Sequence, residues 1–299
     1  MDKIQGIRLP SIPGIQKQQE IVEYVNEANR KKQAKDREAQ QLLDSIDGYL
    51  LKELGIKLPE YHSDLNNRIF YVQHKELTNR IDPYYSQQYF KNSFKAICSG
   101  KYPVVSLGKL SVLITSGITP KSGGSAYTED KINGIPFIRS GNINVLGDLD
   151  YNELLYLKPE IHNTIMRSSQ VYTNDIMIAI VGATIGQVGV YLSDREANIN
   201  QAIALVRLKQ GIDVQYVKEL IKSKIGQISL NRLKRPVARA NINLEEIATI
   251  QVVVPPLNKQ HEIAIRIEEI RKRAKMLQEQ GNAILEDAKR EVERMIIGK

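Results

Sequence analysis

Ile12–Val22 reads IPGIQKQQEIV, and Val254–Ala264 reads VPPLNKQHEIA. The offset 255 − 13 = 242 lays Pro255, Lys259, Gln260, Glu262 and Ile263 on Pro13, Lys17, Gln18, Glu20 and Ile21. Solenoid units run to about 20–50 residues, so a repeat this widely spaced is one element used twice with a domain between the copies. Each copy opens a long amphipathic stretch. After the first, a seam recurs at alternating four and three residues through Ile21, Val25, Ala28, Ala39, Leu42, Ile46 and Tyr49, interrupted by Lys32 and Lys35. After the second it runs through Ile263, Ile267, Ile270, Ala274, Leu277, Gly281, Ile284 and Ala288. Pro13-Gly14 starts the first helix, and Gly55 and Pro59 stop it after Leu54. The second starts at Pro256 or Leu257.

At roughly 1.5 Å per residue each helix is about 60 Å long. A stripe this narrow needs a partner helix of similar length. The other copy supplies one, and a domain between them lets the chain return antiparallel. Lys32 and Lys35 are then expected near Ala274 and Leu277, with small Ala39 and Gly281 permitting close approach. The expected fold is α+β: a helical region at 1–60, one mixed α/β domain at 61–255 and a long helix at 256–299, the helices forming an antiparallel coiled coil. Within the domain, β-rich runs occur at Arg68–Val72, Val104–Leu107, Ile135–Ile138, Ile176–Val181, Val188–Tyr191 and Ile203–Leu208. Val214–Ile228 reads as one helix and Asn243–Thr249 as a short one.

The net charge of +8 suits a polyanion, with nucleic acid first among candidates. One cysteine, Cys98, excludes an intrachain disulfide and fits a reducing compartment. The opening MDKIQGIRLP has no apolar signal region, and no run approaches the ~18 apolar residues of a membrane span. A cytoplasmic protein that does not engage a membrane is expected.

Catalytic motifs are absent. There is no GxxxxGK[ST] and no GxSxG, and His62, His74, His162 and His261 lack metal-ligand spacing, so no metal and no cofactor is expected. Gly182–Gly189 is glycine-rich but joins strand to strand, which reads as a bend rather than a phosphate cradle. Asp82-Pro83-Tyr84-Tyr85 lacks the second proline of an adenine-methyltransferase motif and reads as a turn. Glu129-Asp130-Lys131 lies in a polar turn rather than on the strand of a nuclease core.

Binding chemistry remains. Thr119, Lys121 and Ser122 combine hydroxyls, a cation and loop N–H groups suited to phosphate oxygens. Arg139, Ser140 and Asn142 place on one turn the residue types that make bidentate contacts with guanine and adenine edges. Arg232, Lys234, Arg235 and Arg239 form the densest basic stretch, which Pro236 keeps partly out of a helix, so its cations are expected to project from a loop. Each stretch also reads as a solvated turn. Arg271-Lys272-Arg273 and Lys275, flanked by glutamates, read as a solvated helix flank.

The order of these parts resembles the specificity subunit of type I restriction–modification enzymes. The two PxxxKQxEI helices carry the likeness. So do Arg80-Ile-Asp-Pro-Tyr-Tyr85, Ser116-Gly-Ile-Thr-Pro120, Ile135-Pro-Phe-Ile-Arg-Ser-Gly-Asn-Ile143, Gly182-Ala-Thr-Ile-Gly186, Asn198-Ile-Asn-Gln-Ala-Ile203 and Ile242–Ile250 with Pro255-Pro256. The resemblance implies a non-catalytic reader that binds double-stranded DNA and whose target recognition domain takes one half-site. Its helices would space such domains and scaffold methyltransferase (M) subunits and a nuclease-translocase (R) subunit. That family's usual chain has two recognition domains; this one has both helices and one domain, a half-length form that a homodimer would complete. Two other classes stay open: a stand-alone restriction–modification enzyme accessory, and a coiled-coil adaptor or truncated subunit without its own DNA recognition.

Overall fold

The computed structural model describes residues 13–62, 64, 69–74, 80–121, 123–235 and 240–297. Ser122, Arg239 and the start of the Arg68–Val72 run lie outside them; residues 69–72 carry no strand. The chain forms two compact units, 1–48 with 266–299, and 49–265.

The first unit is built from two long helices, α1 (Ile15–Leu54) and α8 (Leu257–Ile297), of which residues 49–54 and 257–265 are counted with the second. Ala39 packs with Ala274 and Leu277, joined by Leu42 and Leu43. Gly281 lies against Lys32: a Cβ added to it would sit 3.3 Å from the lysine Cγ and 3.5 Å from its carbonyl oxygen. From Lys32 to Ala39 is seven positions up α1 (39 − 32), and from Gly281 to Ala274 seven down α8 (281 − 274), so the helices run antiparallel. Of the seam residues, Ala28, Ile46, Ile263, Ile267 and Leu277 are buried, and Ile21, Val25, Leu42, Ile270 and Ile284 half-buried.

The expected partner of Lys32 is corrected. Lys32 meets Gly281, and Ala274 meets Ala39. The 242 offset relates equivalent positions, whereas antiparallel contacts run in opposite directions. Position 281 is the equivalent of 39, and 274 of 32 (281 − 242 and 274 − 242), so the two contacts are one contact made twice about a pseudo-two-fold axis. Lys32 is tolerated there because its stem lies over Gly281 while its ammonium reaches Asp36 at 2.7 Å, one turn along its own helix.

The second unit carries the sheets. Helix α2 (Gln88–Cys98) precedes β1 (Val104–Ser106), α3 (Leu107–Leu110) and β2 (Ser111–Ser116). Then come β3 (Tyr127–Thr128), β4 (Ile135–Ile138), β5 (Leu155–Leu157), α4 (Pro159–Asn163), β6 (Gln170–Val171), β7 (Ile176–Ala179), β8 (Val188–Val190), β9 (Ala197–Ile199) and β10 (Ile203–Leu208). Helices α5 (Val214–Lys222), α6 (Lys224–Leu233) and α7 (Leu244–Ala248) and strand β11 (Gln251–Val253) close the unit. One sheet has the order β2-β10-β7-β8, another β3-β5-β4-β9-β6 with β4 and β9 parallel, and β1 pairs with β11. Ile138, Val171 and Ile199 of the second sheet share a core with Met177, Ile203 and Leu205 of the first. All of β7 is buried, which its unbroken apolar run reflects.

The single helix expected over Val214–Ile228 is two. Ser223 has extended backbone (ψ 168°), ends α5, and caps α6 by accepting from the Ile225 N–H. Any side chain at Gly226 would overlap the Ile221 backbone, which lets α6 fold back tightly on α5.

Candidate nucleic-acid interface

Backbone contacts draw five separated stretches of the 49–265 unit together. Gly117, at the end of β2, lies so close to Ile199 that a Cβ would overlap its carbonyl, which seats 116–120 on the Ile199-Asn200 backbone. The Asn200 N–H donates to the Ile138 carbonyl at 3.0 Å, bringing in 139–142. Ile180 donates to Ala202 at 2.9 Å, Gly182 to Ala240 at 3.1 Å and Ile242 to Ile180 at 3.0 Å, tying the 182–186 bend to both 200–202 and 240–242. Gly182 and Gly186 have φ of 74° and 95°, which explains glycine at both places in a bend between the antiparallel strands β7 and β8.

Thr119, Lys121, Gly141, Gly182, Ala183, Gln201 and Asn241 are exposed on this cluster. Gln201 stands at the tip of a turn in which the Asn200 carbonyl accepts from the Ile203 N–H and the Asn200 amide oxygen from the Ala202 N–H. Gln201 lies inside a quoted motif and Asn241 immediately before one, and the sequence reading names neither as a site residue; polarity next to a strand end is the available signal.

Several predicted side chains serve the protein instead. Asn142 is buried, and its amide oxygen accepts from the Arg139 N–H at 2.9 Å, so it holds the turn and does not face outward. Arg139 donates to the Glu153 carbonyl at 3.2 Å, while its buried Nε has no partner among the described residues. Ser140 is half-buried.

The basic run divides, and the expectation that its cations project from a loop is corrected. Arg232 lies in the last turn of α6, donates Nε–H to the Tyr85 carbonyl at 3.0 Å, and stands 3.9 Å from the Tyr85 ring centre and 5.0 Å from that of Phe94. Burial pushes its pKa down. Lys234 donates to the Asn231 side chain at 2.8 Å, and burial likewise pushes its ammonium down. Arg235 donates to the Asn241 carbonyl at 2.8 Å and to Glu246 at 2.9 Å. Glu246 also receives Arg80 at 3.1 Å and is locked to Asn243 in a reciprocal cap of α7. In sequence the run reads as free cations because the acid that takes Arg235 lies eleven residues away and the carbonyl that takes Arg232 belongs to the distant Tyr85.

Asp130 caps its own turn by accepting from Asn133 and Ile132, bonds that hold its carboxyl below the ordinary value. Among the described residues no group of three or more His, Cys, Asp or Glu side chains is placed to hold a metal ion, and no helix is long and apolar enough to cross a membrane.

Residues 66–286 match the family described as Type I restriction modification DNA specificity domain. The chain belongs to that family. It is similar to the type I restriction enzyme EcoBI specificity subunit of Escherichia coli, 34% identical over 158 residues, which cover 52% of this chain and 33% of the relative. A structure described as the basis of complex assembly and conformational transition of the type I R-M system aligns with 99% of this chain and 65% of its own, at TM-score 0.58 and 14% identity. The type I restriction–modification S subunit from M. genitalium aligns with 95% and 61%, at TM-score 0.52 and 14% identity. The likeness to both structures is one of fold, α+β with two long helices. The chain spans less than two thirds of the length of each of these relatives.

Proposed function

We propose that this chain is the DNA-reading specificity component of a type I restriction–modification system, and that it reads rather than cuts or methylates. The observation that carries this is the convergence of the five stretches, with Thr119, Lys121, Gln201 and Asn241 exposed on one cluster of a basic protein. Lysine and threonine there suit phosphate oxygens, and glutamine and asparagine suit adenine edges. In this reading the recognition domain, 61–255, takes one half-site of a split target. The helices hold M subunits, and the R subunit joins through them. The experiment is a duplex-binding titration of the chain with an M subunit at several salt concentrations. Lys121→Gln is expected to lower the slope of log affinity against log salt by about 1 without changing stability. Gln201→Ala is expected to leave the slope alone and flatten base preference by about 1–3 kcal/mol at one position. Unaltered slope and preference in both variants would remove the cluster from the interface. Magnesium-dependent cleavage or methyl transfer by the purified chain alone would overturn the non-catalytic reading.

A two-copy assembly is a second reading. The exposure of the first signature, with Ile15 at 74% and Val22 at 56%, favours it. The α1 seam already has α8, so a second copy would engage that exposed start rather than the seam. The mass of the chain in solution tests this.

A further inference from the structure

A groove of about 800 Å³ lies in the 49–265 unit, lined by α2, α6 and the start of β11 among others, and none of its lining belongs to the five converging stretches. Its charged lining residues are Lys91, Lys95 and Arg232; no carboxylate lines it among the described residues. The wall is aromatic at Tyr85 and Phe94. Arg232 is held in place by the Tyr85 carbonyl and the two rings, and among the described residues its terminal guanidinium nitrogens have no partner. Ser229, also in the lining, is 3% exposed, and among the described residues its hydroxyl has no hydrogen-bond partner. A helical serine ordinarily satisfies itself on the carbonyl one turn back. This one does not, and a buried hydroxyl left unpaired lowers stability. A fixed guanidinium, a nearby ammonium and an unsatisfied hydroxyl in one aromatic recess form a receptor for a carboxylate-bearing chain.

We propose that this groove docks an extended acidic segment of a partner polypeptide. Its carboxylates meet Arg232 and Lys95, an apolar side chain rests on Phe94 and Leu233, and a carbonyl accepts from the Ser229 hydroxyl. Shape favours a peptide over DNA. A duplex presents its phosphates on a convex surface, and they would stop at the rim without reaching a hydroxyl buried inside. A peptide enters a recess of this size with its side chains. The proposal goes beyond the DNA reading and does not depend on it.

Cys98, the chain's one cysteine, is exposed and lines the groove, so it reports occupancy. The test follows the rate at which a neutral maleimide dye modifies Cys98 in the full chain. The probe is a ten-residue peptide of alternating glutamate and leucine, blocked at both ends. At ten times its Kd it should slow modification about tenfold. The matching lysine–leucine peptide should not. Lys95→Glu, a change at an exposed position whose folding is checked by its thermal midpoint, should weaken protection about tenfold through charge reversal. Ser229→Ala should raise the thermal midpoint yet weaken the glutamate peptide about two- to tenfold, a split that a purely structural serine would not give. Three outcomes overturn the proposal: no protection by the glutamate peptide at millimolar concentration, equal protection by the lysine peptide, or protection by a short DNA duplex alone, which would make the groove a nucleic-acid contact. Unchanged peptide affinity in Ser229→Ala removes the hydroxyl from the site. The salt slope of DNA binding is measured separately, so either reading can fail without the other.

Discussion

The two copies of the PxxxKQxEI signature make the same bonds within themselves and have different surroundings. Gln18 donates to the Pro13 carbonyl at 2.7 Å, and Gln260 to the Pro255 carbonyl at 2.8 Å. Lys17 pairs with Glu20 at 3.0 Å, and Lys259 with Glu262 at 2.8 Å. The glutamine thus staples the start of the helix to the proline before it, and the lysine and glutamate close its first turn. The second copy is also covered by its domain. Gln260 is buried and accepts from the Asp213 N–H, Asp213 caps α5, His261 meets the same aspartate, and Lys259 reaches Glu53 at 2.6 Å. Ile263 is fully buried where Ile21 is half-exposed, and Ala264 is covered where Val22 is open. The same residues therefore act as a local helix start in one place and as a domain anchor in the other. What differs is the neighbour, and a one-dimensional repeat carries no record of neighbours.

The largest test of this contrast is truncation of the seam isoleucine. Ile263→Ala is expected to cost about 2–5 kcal/mol, as for a fully buried aliphatic side chain, and Ile21→Ala distinctly less. Urea midpoints of the two variants compare them directly; equal losses would mean that the first copy is covered in solution. Next comes the glutamine. Gln260→Ala strands the Asp213 N–H and the Pro255 carbonyl in a buried setting and is expected to cost about 1–3 kcal/mol, whereas Gln18→Ala should stay within about 0.5 kcal/mol. A loss at Gln18 matching that at Gln260 would again break the distinction.

Legibility follows the same line. The bounds of α1 were readable because Pro13-Gly14 and Gly55 are local signals, and Gly55 has φ of 66° where only glycine sits easily. Strands β4 and β10 were readable at both ends because they are apolar runs between turns. The break at Ser223 was not, because Ser223 and Gly226 act together through the backbone of Ile221, and neither alone interrupts the apolar period. Helix α2 and strand β2 are absent from the sequence reading, although Ser99-Gly100 follows the one and Gly117 the other. In the candidate interface the motif loops were readable as motifs, but the direction of each side chain was not. Asn142 and Arg235 have the right chemistry for DNA, and the fold uses both internally. An arginine is committed when an acid such as Glu246 arrives from eleven residues away, and sequence separation hides that.

The smallest expected effect tests the lysines by pH. Lys259 lies between Glu53 and Glu262, and both bonds hold its ammonium above the ordinary lysine value. Its hydrogen bond to Glu53 in turn holds that carboxyl below the ordinary 4.5. A carboxyl lowered in the folded state contributes stability that is fully present above its unfolded value and lost as pH falls through its folded value. The raised lysine works in the opposite sense: its contribution is present below about 10.5 and lost as pH climbs through the folded value. Stability between these limits should therefore carry a small gain from the Lys259 pairs, below about 1 kcal/mol because the groups are partly solvated. Lys259→Gln should remove the decline on the acid side that belongs to Glu53. Lys17→Gln, whose lysine pairs with Glu20 in a solvated turn, should leave the profile as it is. Urea midpoints taken from pH 3 to pH 7 compare the two variants. If Lys17→Gln flattens the acid limb as much as Lys259→Gln does, then the pairing within the signature, rather than the reach to Glu53, carries the effect, and the two copies are electrostatically alike.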